Sequence, residues 1–226
     1  MLTLAIDTAA NFCSACVFDT AADRVLAKEE RDIGRGHAEQ LMEVVEGVIR
    51  SAGIDYADLG RIGVAVGPGS FTGIRVGVAT ARGFGLALGC PVSGVTTLEA
   101  LAADAQAQAS GLVTVAVRGG RGQIFMQSFD AAGLPLGEAA AVAEDDAPAA
   151  LPASVSFLAG NAAAALAGDR ALLLANRATG SVETVARLAV ASNRRPVPLY
   201  LRGADAKTQA GFALPRAQAT DGSAAS

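Results

Sequence analysis

The sequence predicts an α/β protein built from two related halves. Two observations carry this. Short apolar strands alternate with amphipathic helices along most of the chain, and the order of three strands, then strands interleaved with helices, occurs twice. Each copy is about 100 residues, an ordinary size for one folding unit. The boundaries read as 1–104 and 105–207, with 208–226 ("TQAGFALPRAQATDGSAAS" from Thr208) polar, Ala-rich and aperiodic, as expected of a flexible tail.

In the first half, "LTLAID" (2–7) is an apolar strand that ends in the carboxylate of Asp7. Residues 13–19 and 24–31 follow at hairpin spacing around the turn "TAAD". Residues 37–53 then place Ala38, Leu41, Val45, Val48, Ile49 and Ala52 at helical three-and-four spacing, and Gly53 stops the run. Met42 and Val44 widen the apolar arc beyond one core face. "RIGVAVGPG" (61–69) is a strand and turn, followed by a glycine-studded helix over 73–89, a short strand and a helix from Thr97. The second half repeats this with strands at 112–118, 123–130 and 135–142. A short helical or loop segment, a strand at 155–160, a helix, a strand at 171–175 and a helix over 181–192 complete it.

The helix over 73–89 is unusual because a glycine inside a helix costs about 0.8–1.0 kcal/mol relative to alanine. Gly73, Gly77, Ala81, Gly85 and Gly89 recur every fourth residue, so they form one row on the helix surface. The expectation taken forward is that this row forms a shallow groove for a partner's helix. The alternative is that the row fits tightly beneath its own sheet.

Composition excludes several classes. With 51% hydrophobic and 18% charged residues the chain is apolar, much of it alanine. Its apolar runs are nevertheless broken well short of the roughly 18–20 residues that span a bilayer. The opening "MLTLAIDT" has no positive n-region, so a cytoplasmic protein with no membrane association is expected. The net charge of −4 does not suit direct nucleic-acid binding; if the biology concerns RNA, a partner holds it. Cys13 and Cys16 lie three apart on a strand and so face opposite ways, no second cysteine pair exists, and His37 is the only histidine. No metal site is expected.

The strongest local candidate for chemistry is the turn containing Gly67, Gly69, Ser70, Thr72 and Gly73, which follows a strand and opens a helix. Free backbone N–H groups and the helix dipole favour an anion there. Its spacing matches neither a Walker loop, a dinucleotide fingerprint nor a nucleophile elbow, so a structural turn stays open beside a phosphate site. Asp7 and Thr8 could hold a metal–nucleotide phosphate or act as turn formers. Arg118, Arg121, Arg194 and Arg195 read as solvated basic positions near turns.

The stretch "GPGSFTGIRVGVATARGFGLALGCPVSGVTTLEAL", with "LAIDTA", "RGHAEQLMEVVEGVI" and "VPLYLRGADAK" in the same order, resembles the TsaB (YeaZ) family. The resemblance runs from residue 1 to about 207 and implies an actin-like, sugar-kinase-like fold of duplicated lobes. It also implies a non-catalytic subunit that pairs with the transferase TsaD and the ATPase TsaE to make threonylcarbamoyladenosine beside the tRNA anticodon. The tRNA is reached only through the complex, and the lone chain forms a homodimer through the same helical face. That face would include His37, Leu41, Met42, Val45, Gly73, Arg75, Gly77, Ala81 and Gly85. No intrinsic cofactor is expected, with ATP or ADP only at the partner interface. TsaD's metal-binding histidine pair has no counterpart in a chain with one histidine. Two departures stand out: "RGGRGQ" puts Arg118 where the family commonly has an acid, and Ala204 replaces a proline before Asp205. The rival reading is an actin-fold ATPase or phosphotransferase working alone through Asp7, Mg²⁺ and the glycine turn. A peptidase is disfavoured by the single histidine and the lack of a nucleophile motif.

Overall fold

The computed structural model describes residues 1–168 and 171–201. The expected tail, 208–226, and the end of the late motif, 202–207, lie outside the described residues.

The first sheet contains β1 (Leu2–Asp7), β2 (Phe12–Asp19), β3 (Arg24–Asp32), β4 (Leu59–Ala65) and β5 (Val92–Val95), in the order β3-β2-β1-β4-β5. The second contains β6 (Val113–Gly120), β7 (Gln123–Phe129), β8 (Ala140–Ala143), β9 (Phe157–Ala159) and β10 (Leu172–Ala175), in the order β10-β9-β6-β7-β8. The two follow one path. In each, the first three strands form an antiparallel meander, and the fourth and fifth add in parallel beside the first. This is the duplication of one strand order that the sequence predicts.

The helices are α1 (His37–Ala52), α2 (Phe71–Leu88), α3 (Thr97–Gln106), α4 (Ala163–Leu166) and α5 (Val182–Ala191). The copies differ where the second is cut short. Pro148 and Pro152 fall where the first copy has α1, and the chain makes turns there. The strand expected over 135–142 begins only at Ala140, and Pro135 contributes a single bridge to Phe129.

The halves exchange helices. Leu98, Leu101, Ala102 and Ala105 of α3 pack into the core of the second sheet with Val113, Val115 and Phe129. Val182, Val185, Ala186 and Ala189 of α5 join the core of the first sheet with Leu4, Ile6 and Ile62. Asp104, near the end of α3, ties the two helices together. Its carboxylate accepts from the Ser181 backbone N–H at 2.6 Å, the Ser181 hydroxyl at 2.9 Å and the Thr184 hydroxyl, satisfying the first turn of α5.

The glycine row on α2 corrects the sequence expectation. Gly73, Gly77, Ala81 and Gly85 are all buried, and their own chain fills the space beside them. A Cβ at Gly73 would clash with the Thr8 carbonyl oxygen, at Gly77 with the Thr8 hydroxyl, and at Gly85 with Val92 of β5. From Gly73 to Gly85 the row is small so that α2 can lie on its own sheet, and no partner helix can enter it there; Gly89, the last of the expected row, is exposed and ends the helix at φ 64°. At Gly83, on the outer side, a Cβ would meet nothing. Gly73→Ala should therefore lower stability by at least the roughly 1–3 kcal/mol typical of overpacking. Gly83→Ala should raise it by up to about 1 kcal/mol through helix propensity. Urea unfolding of both variants checks the pair, and equal effects would contradict the assignment of the two faces.

Candidate functional site

The end of β1 and the start of α2 meet over a few residues. Asp7 is 4% exposed, and its Oδ1 accepts the Ala9 N–H at 2.8 Å, closing a local turn. The Thr8 hydroxyl donates to the Gly73 carbonyl at 2.7 Å. The Ser70 N–H donates to the Ala9 carbonyl at 2.6 Å, and the Ser70 hydroxyl caps α2 by accepting the Gly73 N–H at 3.2 Å. Gly69 packs so closely on the Ala9 carbonyl that a side chain there would clash. From the other side, the Thr97 N–H donates to the Gly67 carbonyl at 2.9 Å.

The structure thus brings Asp7, Thr8, Gly67, Gly69, Ser70 and Gly73 together, as grouped from the sequence, while Thr72 faces solvent. Their chemistry differs from a phosphate cradle. The Ser70 and Gly73 N–H groups are taken by oxygens of this chain, and the space between turn and strand is filled by the 8–9 backbone. Those two donors are therefore not free to hold a phosphate. The independent ATPase reading, which needed them, gains no support.

Burial pushes the Asp7 carboxyl up to about 6, against the opposing pull of the Ala9 N–H and Arg177. Asp7 stands in register with Ser14, which stands in register with Glu30, and Arg177 pairs with Glu30 at 3.3 Å. Among the described residues no group of three or more His, Cys, Asp or Glu side chains could hold a metal ion. Cys13 and Cys16 are both buried; burial pushes their thiols up to about 11 and about 12, so neither is a ready nucleophile. Arg118 pairs with Glu144 at 2.7 Å on the surface.

The interface expected from the sequence is partly dismantled. His37 is buried, with Nε2 3.2 Å from the Phe12 carbonyl, and Leu41 and Val45 belong to the core. With the glycine row also internal, only Met42 and Arg75 of that set are exposed. The outward stripe of α2 is instead Phe71, Arg75, Ala79, Arg82 and Leu86, and Leu86 is 88% exposed. Phe71, Leu86 and Tyr200 were missed by sequence reasoning. Helical phase could have found the first two: Phe71 and Leu86 lie close to four turns apart, on the side opposite Gly77 and Ala81.

A family model described as TsaD: tRNA N6-adenosine threonylcarbamoyltransferase matches residues 30–169. TsaB of Escherichia coli is 32% identical over 105 residues, 46% of this chain and 44% of that protein. TsaB of Bacillus subtilis is 34% identical over 125 residues, 55% and 53% of the two chains. The chain spans about half the length of the curated relatives it matches. A solved structure of YeaZ from Pseudomonas aeruginosa superposes with TM-score 0.73 at 23% identity, over 88% of this chain and 99% of that one. The chain belongs to the TsaB (YeaZ) family. Within that family frame, the end of β1 is a packing junction, and the outer side of α2 is among the surfaces that leave large apolar groups exposed. No helix among the described residues is long and apolar enough to cross a membrane.

The junction has a pH signature. The folded protein holds the Asp7 proton up to about pH 6, whereas the unfolded chain releases it near 3.8. Between those values the folded state binds the extra proton, so this contribution to stability falls as pH rises and is lost above about pH 6. Asp7→Asn should be near neutral at about pH 4 and stabilising by about 2–3 kcal/mol at about pH 7.5. Denaturant titrations at both pH values test this; a variant weaker than wild type at the higher pH would mean the carboxylate is paired, not merely buried.

Proposed function

We propose that this chain is a non-catalytic subunit of the machinery that makes threonylcarbamoyladenosine beside the tRNA anticodon, and that it docks the transferase TsaD through the outer face of α1 and α2. One observation carries the reading: large apolar side chains left exposed on the outer sides of the two neighbouring helices, Met42 on α1 and Phe71 and Leu86 on α2, at 51%, 56% and 88% exposure. Burying each such side chain against a partner is worth about 1.5–3 kcal/mol. Family membership supports the choice of partner, and the closed turn at Gly67 to Gly73 supports a role without phosphate chemistry of its own.

The rest of the assembly follows from the same reading. With net charge −4, the chain meets tRNA only inside the complex. TsaE and its nucleotide act on the assembled pair, and ATP or ADP binds at the partner interface, not in this chain alone. Free of TsaD, the chain covers the same face with a second copy of itself. Its place is the cytoplasm, with the other subunits.

Mixing the purified chain with TsaD and measuring complex mass and affinity tests the docking. Leu86→Asp and Met42→Asp should each weaken the complex by about 30-fold or more, equal to about 2 kcal/mol, while leaving the unfolding midpoint unchanged. Threonylcarbamoyl transfer in the reconstituted system should fall in parallel. A wild-type chain that forms no complex, or variants that bind and support transfer normally, would overturn the reading.

A further inference from the structure

At the N-terminal end of the outer α2 stripe an arginine is held in a fixed pose on the surface. The Arg75 guanidinium carbon lies 3.6 Å from the centre of the Phe71 ring and 5.6 Å from that of Tyr200, and its Nε donates to the Tyr200 hydroxyl at 2.8 Å. The two rings are themselves 5.4 Å apart at 39°. All three side chains are exposed. A free surface arginine loses rotamer entropy on binding, and these contacts already restrict the Arg75 side chain.

Tyr200 reaches this position because the segment after α5 is tied down along its length. The Gly94 N–H donates to the Arg194 carbonyl at 2.9 Å, the Ser192 hydroxyl to the Gly94 carbonyl at 2.8 Å, and the Leu199 N–H to the Val66 carbonyl at 2.8 Å. Leu199 packs on the core of the first sheet and Leu201 on that of the second. Tyr200, between them, is delivered to α2 from far along the chain.

The held guanidinium has no acid of its own among the described residues, whereas Arg31, Arg118, Arg177, Arg187 and Arg194 each have one. With Nε given to Tyr200, the two terminal nitrogens of this exposed side chain make no hydrogen bond among the described residues and remain a pair of donors suited to a carboxylate. Arg82, two turns along the same stripe, is also without an ion pair among those residues. We infer that Phe71, Arg75 and Tyr200 form the anchor of the docking face, and that Arg75 takes a carboxylate presented by the docked protein. This deepens the TsaD-docking reading and rests on it. The surface favours a protein acid over a nucleic-acid backbone. Phe71 and Leu86 on the stripe ask for apolar cover, and the neighbouring α1 exposes Glu39 and Glu46, which repel a polyanion, beside Glu43, which Arg31 already pairs at 3.0 Å. Aromatic rings and arginine are also the groups that most often dominate binding energy.

Affinity for TsaD, measured by calorimetry on the full chain, tests the anchor. Arg75→Ala should weaken binding about 30-fold and Arg75→Lys about tenfold, since lysine keeps the charge but loses the fork and the stacking. Tyr200→Phe should cost several-fold by releasing the Arg75 Nε. Unfolding midpoints unchanged from wild type, with Leu86→Asp run alongside, separate docking from folding. If the wild-type chain does not bind TsaD, the docking reading itself falls. If it binds, Leu86→Asp weakens it and the Arg75 and Tyr200 variants stay within about twofold, only the anchor falls. Arg75 variants that lose tRNA binding or self-association while binding TsaD normally would also overturn it.

Discussion

The close approach of α2 to the end of β1 is the constraint on which the rest of the structure depends. A helix can lie this near a strand only where its facing side chains are hydrogen atoms or methyls, which is why Gly73, Gly77, Ala81 and Gly85 occupy one row. The helix-propensity cost of the glycines is offset by what their absence of side chains permits. The Thr8 hydroxyl reaches the Gly73 carbonyl, the Ser70 N–H reaches the Ala9 carbonyl, and the apolar residues Ile74 and Val78 enter the core. The position of the turn follows from that seat. So does the direction of the outer stripe, because a helix fixed on one face has no freedom to rotate the other.

The same junction shows how a loop with the look of an anion site spends two of its donors within the chain. A helix N-terminus carries unsatisfied N–H groups and partial positive charge, and it seeks oxygen atoms. In this chain those oxygens are the Ser70 hydroxyl and the Ala9 carbonyl, supplied from within. Glycines that would let a phosphate come close let a backbone carbonyl come close for the same steric reason. Spacing alone could not distinguish these, since both uses need small residues at a strand-to-helix turn. The difference lies in what the loop after β1 does, and that loop is sixty residues away in sequence.

Much of the fold was legible because it is written in local periodicity. Strand alternation and three-and-four spacing gave nearly every element within a few residues, and the twofold repetition of their order matched two sheets of one topology. The exchange of α3 and α5 between the sheets was not legible. It depends on contacts such as Asp104 with Ser181, which join residues 77 positions apart and leave no periodic trace. The interface was half legible. Met42 and Val44 were both read as widening an apolar arc past one core face, and only Met42 is exposed, Val44 being core; the glycine row was assigned to the wrong side, since smallness reports close approach without saying to what. Tyr200 was hidden for a different reason: only the folded path of the C-terminal segment brings it beside Arg75.

These two faces of α2 illustrate a division of labour that the sequence pattern half conceals. The inner face is built from absence, with side chains removed so that a sheet can be reached. The outer face is built from excess, with large apolar and cationic groups left open to water in the free chain. A stable surface helix needs only the first of these; Leu86 at 88% exposure adds nothing to the fold of the lone chain. The bonds that carry Tyr200 to Arg75 likewise end on a surface group with no role in either core. Large exposed apolar groups along one face of a rigid element, interspersed with arginines, are what association requires and folding does not. The physical case for a docking module therefore rests on groups whose placement the isolated fold leaves unexplained.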